Sequence, residues 1–306
     1  MRINRRTGFR ILAGGILAGT MAAGGLAAHL ARQIAKPKGK TLERERGWEI
    51  IHGLWGDFDS YQKTAYTVCG MDDYVLHCEY IEKDPASRNF VILTHGYTSN
   101  RYGMAKYIGV YRKLGFNCVI YDCRDHGENA ETACTIGNFE ARDLKKVIED
   151  TYERYGSDIR LGLHGESMGS STSLSVLKYH PDVKFVVADC GFANLYELIG
   201  KGYRAMHIGF MTDAVNLMTR LLYGFDLRDT SARDALAGNE VPICLIHGAD
   251  DTFIVPQNSR DLAAATAGYS EVHLIDGAEH AKSREIAGEE AYTKIVREFL
   301  EKIRFL

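Results

Sequence analysis

The chain has 306 residues, a formal net charge of −3 and 25% charged residues, which suits one large or two small globular domains whose core needs no disulfide or metal staple. The near-neutral balance leaves no basic footprint for nucleic acid. Seven cysteines form no CxxC pair and no Cys/His cluster with zinc spacing, so the sequence implies neither a metal nor a cofactor.

Residues 1–10, MRINRRTGFR, carry four arginines and no acid, and Ile11 to Leu30 has no charge for 20 residues. That length can span a bilayer. A basic flank before an uncharged run predicts an uncleaved membrane anchor, with the following domain outside the cytoplasm. The alternatives are a cleaved signal ending at Gly25-Leu26-Ala27, with the domain secreted, and an Ala/Gly-rich N-terminal helix on a soluble protein, against which the pairs Gly14-Gly15 and Gly24-Gly25 argue. Residues 31–47 are polar and read as a linker or juxtamembrane helix. The expected organisation is therefore 1–47 as anchor and linker and 48–306 as the functional domain. In an exported domain, Cys69 with Cys78 or Cys123 with Cys134 are conceivable bridges. Several of the cysteines lie in apolar runs, where the residue behaves as a small buried hydrophobe.

From Trp48 onward, short β-rich runs alternate with helical stretches. Strands are predicted at Ala65–Val68, Tyr74–Tyr80, Asn89–Thr94, Asn117–Tyr121, Arg160–His164, Lys184–Asp189, Ile243–His247 and Glu271–Ile275. The first two form a hairpin. The later ones are apolar nearly throughout, as expected of parallel strands covered by helices on both faces. Ligands then bind beyond the carboxyl ends of the strands. Between Asp189 and Val241 no strand is predicted; residues 192–237 read as a helical lid. Met206, Phe210, Met211, Met218, Tyr223 and Phe225 there either face a substrate or pack the lid onto the core.

Gly165-Glu166-Ser167-Met168-Gly169 is GxSxG, directly after a strand and before a helix. A strand–Ser–helix turn is a nucleophile elbow, which exposes the hydroxyl above the sheet at a helix N-terminus. A serine needs a base, and the base needs an orienting carboxylate. Asp250 and Asp251 follow the seventh strand and His280 follows the eighth. The order Ser…Asp…His is that of one hydrolase class.

Five motifs in order, HGYTSN, YDCRDHGEN, GESMG, HGADDTFIVP and GAEH, resemble the α/β-hydrolase superfamily over about residues 60–304. The branch is similar to feruloyl-esterase-like and prolyl-oligopeptidase-related bacterial hydrolases. The resemblance implies an α/β-hydrolase fold with an eight-stranded, mainly parallel sheet. It implies a catalytic triad of Ser167, Asp251 and His280, because the family pattern HG-x-x-D favours Asp251 over Asp250. It implies an oxyanion hole from the N–H groups of Tyr97 and Met168, with the Tyr97 side chain at the acyl pocket. In YDCRDHGEN, Asp125 stands where the family usually has glycine; Asp122, Arg124 and His126 are expected to hold that loop. His95, His164, Glu166, His247 and His273 read as structural.

The expected activity is that of a serine esterase acting on a small acyl substrate, with no cofactor. A peptidase or acyl-thioesterase of the same fold is the catalytic alternative. For a peptidase, Glu197 and Asp213 are candidates to hold a substrate amine. A non-catalytic binding protein on this fold is the remote alternative.

Overall fold

The computed structural model describes residues 23–306. Its centre is one eight-stranded sheet: β1 Lys63–Cys69, β2 Val75–Ile81, β3 Asn89–Thr94, β4 Asn117–Tyr121, β5 Arg160–Glu166, β6 Phe185–Asp189, β7 Ile243–Gly248 and β8 Ser270–Ile275. The spatial order is β1-β2-β4-β3-β5-β6-β7-β8. β2 pairs antiparallel with both β1 and β4, and every other pairing is parallel. All eight predicted strands are present, with ends that move by two residues or fewer.

The parallel strands are apolar on both faces because each face meets its own core. Phe90, Ile92, Leu161, Leu163, Val186 and Leu245 point into one apolar cluster. Their alternates Val91, Leu93, Val187, Cys244 and Ile246 point into the other, as a period of two requires. The second cluster is closed by helices α3 (Ala105–Lys113) and α10 (Ser283–Lys302). On the first face lie α4 (Phe139–Tyr155) and α5 (Met168–Ser175). Every residue of α5 is buried. Its run of small residues, MGSSTSLS, lets the helix sit directly on the sheet.

The strand-free interval is helical as expected: α6 (Leu195–Ala205), α7 (Thr212–Tyr223) and α8 (Ala232–Ala235) lie between β6 and β7. Met211 and Phe225 are buried in the core. Met206 and Phe210 point to solvent, Phe210 at 79% exposure. α9 (Gln257–Ala265) joins β7 to β8. All seven cysteines are free thiols, so neither conceivable bridge forms.

The N-terminal expectation is corrected. Residues 11–22 of the predicted span lie outside the described residues. Its described part belongs to a helix, α1, that covers 23–35. Ala27, Ala31, Ile34 and Ala35 are buried in the same core as the sheet. Among the described residues no helix is long and apolar enough to cross a membrane. The physical reason is that small apolar residues at i, i+4 and i+7 make a packing stripe on protein as well as a lipid-facing run. Neither an anchored, extracytoplasmic domain nor release after cleavage at Ala27 fits a helix whose buried face includes Ala27 itself. Residues 36–47 do not form a free linker either. The Lys40 N–H donates to the Thr98 carbonyl at 3.0 Å, and α2 (Leu42–Ile51) begins beside it.

Candidate active site

The order of strands reverses direction around β3, so a crevice opens beyond the ends of β3 and β5, where such sheets bind ligands. Ser167 occupies it. Its backbone is left-handed, φ +55° and ψ −114°, a strained conformation for a residue with a side chain. The flanking glycines make the strain possible. A Cβ on Gly169 would meet the Thr94 carbonyl oxygen at 1.9 Å, and one on Gly165 would meet the Gly169 carbonyl oxygen at 2.1 Å. Gly169→Ala is therefore expected to cost about 2–3 kcal/mol through overpacking. A urea melt reads this as a lowered midpoint; an unchanged midpoint contradicts the close approach.

The elbow is tied down from below. The Ser167 N–H donates to the Asp189 carbonyl at 2.8 Å. The Asp189 carboxylate accepts from Ser283 Oγ at 2.8 Å and Tyr292 OH at 2.9 Å. Burial pushes that carboxyl up to about 6, and the nearby Glu166 charge adds to the rise.

Ser167 Oγ lies 2.8 Å from His280 Nε2, and His280 Nδ1 lies 2.7 Å from Asp251 Oδ2. In the matching tautomer the hydroxyl donates to Nε2 and Nδ1–H donates to the carboxylate. The other oxygen of Asp251 accepts from the N–H groups of Phe253 and Ile254, each at 2.9 Å. His247, read as a packed residue, lies 3.3 Å from Asp251 Oδ2 while its Nε2 donates to the Ile254 carbonyl at 2.6 Å. Burial works to raise the Asp251 pKa. Hydrogen bonds from His247 and His280 outweigh it and hold the carboxyl well below the usual range. The loops that carry Asp251 and His280 are joined by the Asp250 N–H donating to the Ala278 carbonyl at 3.0 Å. No Asp250 side chain is bonded to His280.

Tyr97 lies in the loop after β3, and Gly96 packs close enough that an added Cβ would sit 3.5 Å from Ser167 Cβ. Met168 is the first residue of α5, so its N–H has no intrahelical acceptor. Both residues line the apolar cavity at Ser167, and their amides are the two expected oxyanion donors. The Tyr97 hydroxyl lies 2.9 Å from the Gln33 carbonyl and 3.0 Å from that of Ile34. It satisfies carbonyls that the end of α1 leaves open, a link to the N-terminal helix that the sequence did not suggest.

The YDCRDHGEN loop behaves as a brace. His126 Nε2 accepts from the Thr98 N–H at 3.1 Å, and His95 Nε2 accepts from the Cys123 N–H at 2.9 Å. Burial drives the His95 pKa down to about 3, so it acts as a neutral spacer. Asp122 pairs with Arg101, and Arg124 with Asp143. Asp125 has φ +61°, a left-handed conformation that aspartate tolerates better than most residues. Its Oδ1 accepts from the Thr132 N–H at 2.7 Å.

Two cavities meet at Ser167. One, of about 190 Å³, is apolar: Ile34, Ile136, Phe192, Leu195, Leu198 and Phe253 are among its walls. The other, of about 240 Å³, is charged, and His280 lines it with Glu49, Lys106 and Glu166. None of the six lid residues singled out from sequence lines either cavity. The wall comes instead from the start of α6 and from α1. Glu197 and Asp213 are engaged in ion pairs with Arg233 and Arg228, at 2.7 and 2.6 Å, and line neither cavity. Cys244, Glu271 and His273 lie within 4.8 Å of one another. They sit near the N-terminal ends of β7 and β8, away from the carboxyl ends where Ser167 lies, and Glu271 already accepts from Lys302 and Tyr269 at 2.7 and 2.9 Å.

The comparisons agree with this fold. The family model of the serine aminopeptidases, S33, matches residues 85–204. The structure of the Pyrococcus furiosus esterase Pf2001 superposes with a TM-score of 0.67 at 22% identity, covering 88% of this chain and 98% of that one. The chain has the α/β-hydrolase fold. Among curated relatives, the uncharacterized protein YqkD of Bacillus subtilis is 27% identical, covering 94% of this hydrolase and 95% of YqkD. The esterase YjfP of Escherichia coli is 24% identical, over 62% of this hydrolase and 80% of YjfP.

Proposed function

We propose that this α/β-hydrolase is a serine esterase that cleaves carboxylic esters with an apolar acyl chain through an acyl-enzyme on Ser167. The observation that carries the proposal is the 2.8 Å contact between Ser167 Oγ and His280 Nε2, at the mouth of an apolar cavity. The esterase names of relatives and structural neighbours support it.

In this reading the acyl chain fills the apolar cavity, and the ester carbonyl lies against the N–H groups of Tyr97 and Met168. Ser167 Oγ attacks the carbonyl carbon as its proton passes to His280 Nε2. The carbonyl π electrons move onto oxygen, where the two amides stabilise them; one such donor is worth about 3 kcal/mol of barrier. The oxyanion then collapses, the carbon–oxygen bond to the alcohol breaks, and His280 returns the proton to the departing alkoxide. Water, deprotonated by His280, repeats the sequence on the acyl-enzyme and releases the acid. Asp251 stays ionised throughout and stabilises the imidazolium.

The test is a panel of p-nitrophenyl esters of increasing acyl length beside aminoacyl-p-nitroanilides. Ester turnover without anilide cleavage is expected. The reverse favours the peptidase reading, for which the match to the serine aminopeptidase family model speaks. Ile34 lines the acyl cavity from α1, so Ile34→Trp should fill it. The expected result is a loss on the order of 10–100-fold in kcat/KM for octanoyl relative to acetyl esters, the range one or two lost methylene contacts provide. An unchanged chain-length profile would place the acyl group elsewhere.

A further inference from the structure

The charged cavity holds an acid that ester cleavage does not require. α2 has the sequence LERERGWEII, and its burial is inverted: Glu45 and Glu49 are buried, whereas Trp48, Ile50 and Ile51 are exposed. A helix on a protein surface ordinarily turns its apolar stripe inward, and like charges at i and i+4 weaken it. Here the inward stripe is acidic, and it faces Ser167 and His280 across the cavity.

The charges around the cavity are nearly all matched. Lys40 Nζ lies 2.8 Å from Glu45, and Lys106 Nζ lies 2.5 Å from Glu166. Lys282 pairs with Glu279 at 3.0 Å. Glu285 is exposed to water. Glu49 remains. It is 2% exposed, its side chain takes part in no hydrogen bond or ion pair among the described residues, and its Oε2 is buried without a partner. An unpaired buried carboxylate is costly, and an orphan of this kind beside a reactive serine is where a ligand group belongs.

Which part of a substrate reaches Glu49 follows from proton transfer. The group that accepts the proton from His280 must lie on the His280 side, and His280 lines the charged cavity rather than the apolar one. The alcohol therefore leaves through the charged cavity. We infer that this cavity binds a primary ammonium group on the alcohol portion of the substrate, with the Glu49 carboxylate as its counter-ion. The preferred substrates are then apolar acyl esters of amino alcohols. The inference rests on the esterase reading above.

Burial pushes the Glu49 carboxyl up to about 7; Lys106 and Lys40 pull it down, and Glu166 and Glu45 push it up. Below pH 7 Glu49 is mostly neutral and attracts a cation weakly; above it the carboxylate is formed. Preference for a cationic alcohol should therefore grow as pH rises from 6 to 8. Lys282, Glu285 and His280 also face the cavity. Protonation of His280 affects all esters alike, so it cancels in a ratio of substrates.

The experiment compares 4-aminobutyl and 5-aminopentyl butanoate with their neutral counterparts, n-pentyl and n-hexyl butanoate, by kcat/KM. The intact enzyme is expected to favour the ammonium esters by about tenfold or more, with the ratio rising between pH 6 and 8. Glu49→Gln is expected to bring the ratio near one and to flatten its pH dependence. A ratio near or below one for both chain lengths in the unsubstituted enzyme overturns the inference, whether or not the variant folds. A ratio unaffected by Glu49→Gln also overturns it. If the neutral esters turn over and no ammonium preference exists, only the cation site falls. If no ester turns over and a fluorophosphonate leaves Ser167 unlabelled, the esterase reading falls and the cation site with it.

Discussion

Ser167→Ala is expected to lower kcat for p-nitrophenyl butanoate by about 10⁶-fold, the loss seen when a hydrolase nucleophile that acts as a unit with its base is removed. Fluorophosphonate labelling should vanish with it. The fold should survive, because the hydroxyl is not part of the packing that holds the elbow: the Ser167 N–H to Asp189 bond and the Gly169–Thr94 contact are backbone features. Both residues at position 167 must adopt φ +55°, so the strain is common to them. Ser167→Gly removes that strain and should match or exceed the unsubstituted protein in thermal stability by about 1 kcal/mol. Loss of activity with an unaltered melting curve is the pattern that separates a nucleophile from a structural serine. Residual turnover above a hundredth would contradict the assignment.

Asp251→Asn is expected to reduce kcat by about 10⁴-fold. The direction of the amide explains the size. One Asp251 oxygen accepts two backbone N–H groups, from Phe253 and Ile254. An asparagine would keep its carbonyl there and turn its NH₂ toward His280 Nδ1. The imidazole would then carry its proton on Nε2, where it cannot take one from Ser167. Asp250→Asn is the control. Asp250 precedes Asp251 in the same turn, but the His280 contact at 2.7 Å belongs to Asp251. Its variant should stay within a few-fold of the unsubstituted enzyme when steady-state rates are compared. Equal losses in both variants would mean that the loop, rather than one carboxylate, is what matters.

The parts of the molecule that were legible in sequence are those where chemistry and backbone constrain residue type together. VILTHGY, LGLHGESMG, CLIHGADD and HLIDGAEH each place a turn-forming or reactive residue where an apolar run stops. A parallel strand covered on both faces must be apolar, and an active site at strand ends must begin where the apolar run ends. The N-terminal helix was not legible, because Ala27, Ala31 and Ala35 read equally as a lipid-facing run or a packing stripe. What decides between them is the complementary surface, including the Tyr97 hydroxyl and the loop at Cys134, whose N–H donates to the Ala35 carbonyl at 2.9 Å. Those partners lie 60 to 100 residues away in the chain.

Residue choice within the helical insertion was illegible for a related reason. Met206 and Phe210 look like substrate contacts by composition. Yet α6 turns Leu195 and Leu198 toward the cavity at Ser167, while Met206 and Phe210, in the segment that follows it, are in solvent. Glu49 carried no local signal at all. Within LERERGWEII it looks like a solvated charge, and only the packing of α2 against the loop after β3, where Ser99 Oγ donates to Glu45 at 2.9 Å, turns that face inward. Glu166, read as scaffold, proved to be ion-paired with Lys106 at the same cavity.

The central claim is that a substrate acyl group is carried on Ser167. Its most direct test is intact-protein mass spectrometry of the hydrolase quenched in acid within the first turnovers of p-nitrophenyl butanoate, followed by peptide mapping. The account predicts a single added butanoyl group, placed on the peptide bearing Gly165-Glu166-Ser167-Met168-Gly169, and absent from Ser167→Ala. A butanoyl group on another residue, or ester turnover that persists in Ser167→Ala, would contradict it.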